Sequence, residues 1–316
     1  MHSDRLTCID LDLPALEGFR RFISSWCYQG DDYTLLVDPG PLSTIPRLCA
    51  ELDRLGVRRL DYILLTHIHI DHAGGAGALL EKFPEAVVFC HPEGIRHMVS
   101  PEKLWEGSRK VLGQLAEIYG PIVAVPEKQI RFDAEIAGTG IRAFLTPGHA
   151  QHHCSYLLDD LLFAGEVAGV HYPLPTGIFM RPATPPRFML QVALASIHQM
   201  LALKPSRMIF AHYGLVEQAQ KHLHIAAGQL LLWVRGVVET LHVEEIRREE
   251  AFKEWLMEHD PHYRNVTCLP ADIQARENYF FGNTLRGMSE FVAAIPSDEL
   301  QELLSSAPLN EKILVT

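Results

Sequence analysis

Short apolar runs alternate along the first part of the chain with segments in which apolar residues recur every three or four positions. The runs at 32–40, 60–67 and 86–92 have the length and apolar character of β-strands. The segments at 43–56 and 76–84 have the spacing of amphipathic helices. This alternation of strand and helix predicts a layered α/β fold with buried strands.

The middle of the chain adds three apolar runs, at 141–149, 155–166 and 207–214, which we predict to be strands that end in polar residues. Prolines crowd the segment 171–187 and predict a long irregular loop, of a length that often carries function. The periodic segment at 191–203 is predicted to be a helix.

Helical patterns fill two further regions. Residues 95–120 predict irregular helical turns, and long amphipathic stretches at 217–241 and 244–259 predict a helical end to the chain. We therefore predict two parts, an α/β core at 1–215 and a helical C-terminal extension at 216–316.

Composition argues against several classes of function. The 316 residues carry a formal net charge of −11 and no basic run, so we expect no nucleic-acid partner. No apolar stretch reaches the roughly 18 residues of a spanning helix, so we expect no membrane association. The six cysteines are scattered without a C-x-x-C pair, and no signal peptide is visible. Both features predict a cytoplasmic protein with reduced thiols.

The stretch LLTHIHIDHAGG, at 64–75, is the most unusual feature of the sequence. It places His67, His69, Asp71 and His72 within six positions, directly after a predicted buried strand. Burying so many titratable groups together is costly unless a cation compensates them. The cluster therefore predicts a metal site.

Three other predicted strands end in candidate ligands. His149 lies in TPGHAQHH, Glu166 in FAGE and His212 in FAHYG. Strand ends in layered α/β folds share one edge of the sheet, so these side chains can converge on the first cluster. Imidazole and carboxylate ligands suit zinc, iron or manganese, and seven candidates exceed the four that one tetrahedral ion needs. Two ions would use all seven, and Glu166 is the natural bridge because a carboxylate can bind both.

The remaining histidines have weaker claims. His152 and His153 are candidate donors that orient a neighbouring ligand. His171, in the proline-rich segment, is a further candidate for reaching the site. His222 and His224 diverge by about 200° on a predicted helix and cannot share an ion.

These motifs together resemble the metallo-β-lactamase superfamily of metallohydrolases. The resemblance rests on T-H-x-H-x-D-H-x-G-G, then T-P-G-H, then F-x-G-(D/E), then a strand ending in histidine, and it spans roughly residues 20–215. It implies a four-layer αββα sandwich with the site at one edge. It also implies that the C-terminal extension completes the outer layer and covers the site.

The resemblance also implies how the ligands are shared between two ions. One ion would be held by His67, His69 and His149, the other by Asp71, His72 and His212, with Glu166 and a water bridging them. The bridging residue of this family is usually aspartate, and Glu166 is one methylene longer.

Because the chain has neither the cysteine ligand nor the export signal of the best-known β-lactamases, we do not expect antibiotic hydrolysis. Diiron flavoprotein members of the family usually carry glutamate at the position of His69, which argues against that redox branch. The segment TPGHAQHHCSYLL is similar to glyoxalase II, and HIDHAGG also to acyl-homoserine lactonases.

The predicted function is that of a metal-dependent hydrolase. Two divalent ions, zinc first and iron or manganese as alternatives, would generate a bridging hydroxide near neutral pH. That hydroxide would cleave an ester, thioester, lactone or phosphoester of a small-molecule substrate. Asp71 is the predicted catalytic residue, because it could orient the hydroxide or carry a proton to the leaving group. Tyr172 and Tyr213 are candidate donors to the developing oxyanion.

Two other functions remain open at this stage. The chain could be a mononuclear iron oxygenase, like the persulfide dioxygenases of the same superfamily. It could also be a metal-bound binding module without catalysis that uses its helical extension to hold a partner. The helix at 217–241 fits either packing within the chain or an interface in a homodimer.

Overall fold

The structure, a computed structural model, describes residues 5–306. Its strands are β1 (Leu6–Asp10), β2 (Ser24–Gln29), β3 (Thr34–Val37), β4 (Tyr62–Leu64), β5 (Val87–Phe89), β6 (Ile130–Arg131), β7 (Glu135–Ile136), β8 (Ile141–Leu145), β9 (Cys154–Leu158), β10 (Leu161–Gly165), β11 (Val170–Tyr172), β12 (Phe179–Arg181), β13 (Arg207–Phe210) and β14 (Gly214–Val216). Its α-helices are α1 (Ile45–Arg54), α2 (Ile70–Ala73), α3 (Ala76–Lys82), α4 (Pro92–Val99), α5 (Glu102–Leu112), α6 (Gln114–Tyr119), α7 (Leu190–Ala202), α8 (Ala219–Thr240), α9 (Glu245–His259), α10 (Ala271–Ala294) and α11 (Ser297–Ser306). Short 3-10 helices occur at Leu42–Thr44, Glu127–Gln129 and Tyr263–Cys268.

Two six-stranded sheets form the centre of the fold. The first has the order β1-β2-β3-β4-β5-β6, and the second has the order β14-β13-β10-β9-β8-β7. In the first sheet β3, β4, β5 and β6 run parallel, as expected for strands joined by helices. In the second sheet β10 and β13 are parallel, and β9 is antiparallel to both β8 and β10. Strands β8, β10 and β13 therefore point in the same direction.

The apolar side chains divide into three cores that separate four layers. On β3, Leu35 faces the core between the two sheets, whereas Leu36 faces the core beneath the helices of the first half. On β10, Phe163 faces the inner core and Leu162 faces the core beneath the later helices. Successive strand residues point to opposite faces, so a strand buried on both sides must be apolar throughout. The predicted αββα sandwich is confirmed.

The long C-terminal helices pack onto the outer face of the second sheet. Trp233 of α8, Phe252 of α9 and Phe281 of α10 lie in one core with Phe210 of β13. Among residues 5–306, no helix combines the length and the apolar character needed to cross a membrane. The division of the chain at residue 215 stays a prediction, and its outermost parts, 1–4 and 307–316, lie outside the described residues.

The structure corrects two element predictions. The run 155–166 is a hairpin of β9 and β10 rather than one strand, because the chain turns at Asp159, whose φ is +53°. The segment 171–187 is not wholly irregular. Its first part pairs β11 with β12 in a small antiparallel sheet, where His171 stands opposite Met180.

Two glycines of α10 differ in what lies beside them, and they provide a test of how this helix packs. A Cβ at Gly287 would lie 2.0 Å from the backbone oxygen of Thr184, whereas a Cβ at Gly282 would meet only Glu249 Oε2, at 3.8 Å. We expect Gly287→Ala to lower the free energy of unfolding by about 1–3 kcal/mol through overpacking. We expect Gly282→Ala to raise it by up to about 1 kcal/mol through helix propensity. Urea unfolding measures both, and equal effects would contradict the close contact at Gly287.

Candidate metal centre

The candidate ligands follow the carboxyl ends of strands in both sheets. His67 follows β4 of the first sheet, and the chain then enters α2, which carries Asp71 and His72. In the second sheet Glu166 directly follows β10, and His212 follows β13. Because the strands of the second sheet that carry ligands point the same way, their ends meet at one edge of the sandwich.

The structure brings all seven predicted ligands together in two neighbouring groups. Each group offers ligand atoms that lie within 4.8 Å of one another. The first group contains His67, His69, His149 and Glu166, and the second contains Asp71, His72 and His212. That these side chains bind metal stays a prediction.

The carboxylate of Glu166 lies between the two groups. Its Oε1 is 3.4 Å from Nε2 of His67, 3.3 Å from Nε2 of His149, 3.4 Å from Nε2 of His72 and 3.6 Å from Nε2 of His212. Within the groups, His149 Nε2 is 3.0 Å from His69 Nδ1, and His72 Nε2 is 3.0 Å from His212 Nε2. A single oxygen is thus almost equally distant from imidazoles of both groups.

Backbone carbonyls fix the tautomers of two of these histidines. Nδ1 of His149 lies 3.0 Å from the oxygen of Ala183, and Nδ1 of His212 lies 3.0 Å from the oxygen of Phe22. A carbonyl oxygen only accepts, so each Nδ1 must donate its proton there. In the neutral imidazole the lone pair is then on Nε2, the atom that faces Glu166.

A chain of hydrogen bonds through Asp38 fixes His67 in the same way. Thr66 donates its amide to Asp38 Oδ1 at 2.8 Å and its hydroxyl to Asp38 Oδ2 at 2.7 Å. Because the hydroxyl proton of Thr66 is used, its oxygen accepts from His67 Nδ1, 3.1 Å away. The Nε2 of His67 therefore carries a lone pair, and it is buried without a hydrogen-bond partner among the described residues.

The chemistry of this donor set fits bound cations. The lone pair on Nε2 of the neutral His67 lies 3.4 Å from Oε1 of the ionised Glu166, with no hydrogen-bond partner among the described residues. Buried acceptors that face one another are strongly unfavourable unless a positive charge lies among them. Nitrogen and oxygen ligands without thiolate suit zinc, iron or manganese. The residues present are therefore those that a divalent metal site requires.

Both carboxylates of the cluster are ionised at neutral pH. Burial by itself raises the pKa of Asp71, but His72 and His212 outweigh it and hold that pKa below its usual value. Burial likewise raises the pKa of Glu166, and His149 and His212 outweigh it, so this pKa too lies well below its usual range. The cluster therefore contains two buried negative charges, which bound cations would neutralise.

The pKa values of the buried histidines shift in opposite directions. Burial lowers the pKa of His67 and His69 well below the usual imidazole value, so both side chains are neutral at physiological pH. Burial also lowers the pKa of His72, but the carboxylates of Asp71 and Asp38 outweigh it and raise that pKa well above its usual value. A proton on His72 and a metal ion therefore compete for the same negative surroundings.

His153 contacts the backbone at Glu166, but through Nε2 as an acceptor rather than as the donor predicted for it. Its Nε2 accepts from the amide of Glu166 at 2.9 Å, while its Nδ1 lies 2.8 Å from Thr146 Oγ1. Gly165 makes this contact close, because its φ is +60° and a Cβ there would lie 2.4 Å from His153 Nε2. His152 lies against His69, with ring centroids 5.5 Å apart.

The other candidates belong to neither ligand group, although the backbone amide of His171 donates to the oxygen of His212 at 2.6 Å. His171 Nδ1 donates to the oxygen of Tyr213 at 2.6 Å, and its ring stacks on Phe210. The ring of His222, on α8, lies 5.8 Å from that of His171. Tyr213 donates its hydroxyl to Asp10, so this proton is already engaged. The ring of Tyr172 is buried beneath the guanidinium groups of Arg21 and Arg276.

Sequence reasoning missed three contributors to the site. Asp38 had a signal, because its motif VDPG precedes the first cluster, but the pattern does not reveal that it supports Thr66 and His72. The carbonyls of Phe22 and Ala183 have no signal, since any residue presents the same backbone oxygen. The ring of Phe22 also stacks on His212 with centroids 4.1 Å apart.

Comparison with known proteins agrees with this architecture. A family model described as the metallo-beta-lactamase superfamily matches residues 18–212. A metallo-beta-lactamase fold-containing protein of Sulfurisphaera tokodaii is 34% identical over 206 residues, which cover 62% of this chain and 74% of that protein. A hydroxyacylglutathione hydrolase of Xylella fastidiosa is 28% identical over 196 residues, which cover 62% of this chain and 61% of the enzyme.

Solved structures extend the likeness over most of the chain. An archaeal metallo-beta-lactamase superfamily protein from Sulfolobus tokodaii superposes with a TM-score of 0.64 at 26% identity, covering 90% of this chain and 98% of that one. A metallo-beta-lactamase family protein from Thermus thermophilus superposes with a TM-score of 0.63 at 18% identity, covering 92% and 93%, and shows the shared fold alone.

Proposed function

Since the chain belongs to the metallo-β-lactamase superfamily, a family of hydrolases that are generally metal-dependent, we propose that it holds two divalent cations at this site. We propose further that it cleaves an ester, thioester, lactone or phosphoester bond in a small-molecule substrate. Zinc is the first candidate metal, with iron or manganese as alternatives that the same ligands accept.

The position of Glu166 is the observation that carries this proposal. Its Oε1 lies 3.3 Å from Nε2 of His149 in one group and 3.4 Å from Nε2 of His72 in the other. A carboxylate so placed serves both groups, and a site for one tetrahedral ion would leave three of the seven ligands without a role. The longer side chain of glutamate still reaches the midpoint between the groups.

Each side chain then has a defined part. His67, His69 and His149 would hold one cation, Asp71, His72 and His212 the other, and Glu166 would contribute to both. When bound, the two cations lower the pKa of a water molecule between them and polarise the substrate oxygen. Asp38, Thr66 and the backbone carbonyls of Phe22 and Ala183 keep the imidazoles in the tautomers that this role requires.

Asp71 is the residue that we propose to move protons. Its side chain is 16% exposed, whereas those of His67 and His72 are fully buried and that of Glu166 is 6% exposed. Its Oδ2 lies 3.4 Å from His212 Nε2, and its carboxylate is ionised at neutral pH. Asp71 accepts a proton from the attacking water and delivers it to the leaving oxygen or sulfur.

Ester and thioester bonds are the preferred substrates of this proposal. Relatives of this chain include hydroxyacylglutathione hydrolases, and the segment TPGHAQHHCSYLL is similar to the corresponding enzyme family. The chain spans 44% and 61% of two such relatives, so their substrate is itself only a proposal here. A cytoplasmic location is likewise a proposal, supported by the scattered cysteines. A homodimer stays a proposal to which α8 gives no support, because this helix packs within the chain through residues such as Trp233 and Val237.

Metal analysis combined with a substrate panel tests the proposed function. We expect elemental analysis of the purified full chain to find two divalent cations per chain. We expect the protein to hydrolyse at least one member of a panel of esters, thioesters, lactones and phosphodiesters. Treatment with a chelator should reduce this turnover to the rate in buffer, and added zinc or manganese should restore it.

Two outcomes would refute the proposal in different ways. One iron per chain together with thiol-dependent oxygen uptake would identify an oxygenase. A fully metallated protein that hydrolyses nothing in the panel would favour a binding module without catalysis.

A further inference from the structure

One face of helix α10 crosses two chain segments beside the candidate metal centre. The first segment, residues 18–22, presents the oxygen of Phe22 to His212 Nδ1, and the second, residues 182–185, presents the oxygen of Ala183 to His149 Nδ1. The helix residues that contact the two segments recur every three or four positions and so share one face: Asp272, Arg276, Phe280, Thr284 and Gly287.

The N-terminal half of this face holds the first segment. Arg276, only 2% exposed, donates from Nη1 to the oxygen of Gly18 at 2.9 Å and lies with its Cζ 4.1 Å from the ring centroid of Phe22. The ring of Phe280 lies 5.4 Å from that of Phe22. The approach is so close that a Cβ at Gly18 would lie 2.1 Å from the backbone oxygen of Asp272. The position of the Phe22 oxygen is therefore set by α10.

The C-terminal half of the same face holds the second segment. Thr284 donates its hydroxyl to the oxygen of Pro182 at 3.3 Å, and Thr184 donates its hydroxyl to the oxygen of Thr284 at 3.2 Å. A Cβ at Gly287 would lie 2.0 Å from the backbone oxygen of Thr184. Ala183 lies between two residues that α10 holds, so the position of its oxygen is set by the same helix.

The hydrogen bond at Nδ1 decides whether each imidazole presents a lone pair to a cation. A neutral ring with its proton on Nδ1 has a lone pair on Nε2, whereas a ring that loses its carbonyl partner can carry the proton on Nε2 instead. His149 belongs to one ligand group and His212 to the other. Each group therefore depends on one of the two segments that α10 holds.

We propose that this face of α10 is a shared support for both ligand groups, because it holds the two backbone oxygens that keep Nε2 of His149 and of His212 free for a cation. This role rests on the proposed function, in which both side chains hold metal. Helix α10 lies outside residues 18–212, which the family model matches, so the ligand motifs do not include it.

Nitrogen NMR of the histidine rings tests this role in the metal-free full chain. Isotopically labelled histidine is observed at about pH 8, where an ordinary imidazole is neutral. The signals of His149 and His212 are assigned from their loss in His149→Asn and His212→Asn. We expect both wild-type rings to carry their proton on Nδ1. Gly287→Ala forces the second segment away from the helix, so we expect His149 to populate both tautomers while His212 keeps its own.

The other end of the face should give the opposite pattern. Arg276→Lys keeps a positive charge beside Glu277, but an ammonium group lacks the fork that also reaches the oxygen of Gly18. We expect His212 to populate both tautomers in this variant while His149 does not change.

Gly282→Ala is the matched control, because Gly282 lies on α10 about 140° around the helix from Gly287. It should change neither ring. Thr284→Val, which removes the hydroxyl donor and keeps the side-chain shape, examines the C-terminal end in case Gly287→Ala does not fold. Gly18→Ala, which forces the first segment off the helix, does the same for the other end. Unchanged tautomers in both variants of either end, or a reversed pattern, would overturn the inference.

Zinc affinity, measured by competition with a chromogenic chelator, is a second readout that a purely structural role would not move. We expect Gly287→Ala and Arg276→Lys each to weaken the binding of one zinc ion by about 10-fold, and Gly282→Ala to bind as the wild type does. Lower stability with unchanged tautomers and unchanged affinity would also overturn the inference. If the wild-type chain binds no zinc, the proposed function fails, and the NMR measurement on the metal-free chain still decides the role of α10.

Discussion

Asp71→Ala is expected to reduce turnover by roughly 1,000-fold or more, because it removes both a ligand and the proposed proton carrier. The second group would keep only His72 and His212, so we also expect the metal content to fall from two ions toward one. Steady-state kinetics on a substrate identified from the panel, with elemental analysis of the same sample, measures both effects. If Asp71 served only as a ligand, turnover would fall no further than the metal content, so the two readouts together define what Asp71 does.

Asp71→Asn and an unrelated carboxylate variant make this experiment specific. The Asp71→Asn side chain has nearly the same shape as aspartate without the charge, so this variant should also lose activity if the negative charge is what matters. Asp133→Ala removes an exposed carboxylate that pairs with Arg131 at 3.0 Å, and it should leave both activity and metal content unchanged. Wild-type turnover in Asp71→Ala would refute the assignment.

Strands that are apolar on both faces were the part of the fold that could best be predicted from the sequence. The run at 60–67 contains β4, the periodic segment at 43–56 contains α1, and the segment at 191–203 matches α7 to within one residue. Strand β2 was missed because its sequence, SSWCYQ, mixes polar and apolar residues. Ser25 is fully buried there and donates its hydroxyl to the oxygen of Val37, so a polar residue occupies a core position. Periodicity cannot anticipate such a bond.

The candidate ligands could be proposed from the sequence because their chemistry is carried by residue types. His67, His69, Asp71 and His72 are close in sequence, and the distant candidates each follow a strand. Their orientation could not be predicted, since it depends on backbone carbonyls whose position follows from the whole fold. The Oε1 of Gln229 is similar, because the sequence of an amphipathic helix does not show that this acceptor is buried without a partner among the described residues.

A buried ion network beside the centre links helix α10 to the site. Glu277 accepts from Arg181 Nε, and from Arg276 Nη2 at 2.7 Å, and all three side chains are at most 4% exposed. Arg276 also covers the ring of Phe22, with its Cζ 4.1 Å from the centroid. Because Phe22 stacks on His212 and accepts from its Nδ1, the network holds one wall of the candidate metal centre.

Glu277→Ala is expected to lower the free energy of unfolding by about 3–5 kcal/mol, because it leaves two buried guanidinium groups without a counter-charge. Burial by itself raises the pKa of Glu277, but Arg181 and Arg276 outweigh it and lower that pKa from its ordinary value of 4.5. Its stabilising contribution is therefore complete above pH 4.5 and is lost as the pH falls through the lower pKa of the folded state. Urea unfolding at neutral and acidic pH should show the variant losing less stability on acidification than the wild type.

The control is Glu117→Ala, which breaks an exposed pair with Arg109 and should lower the free energy of unfolding by at most about 1 kcal/mol. If the two variants were equally stable, the network would contribute no more than a surface ion pair.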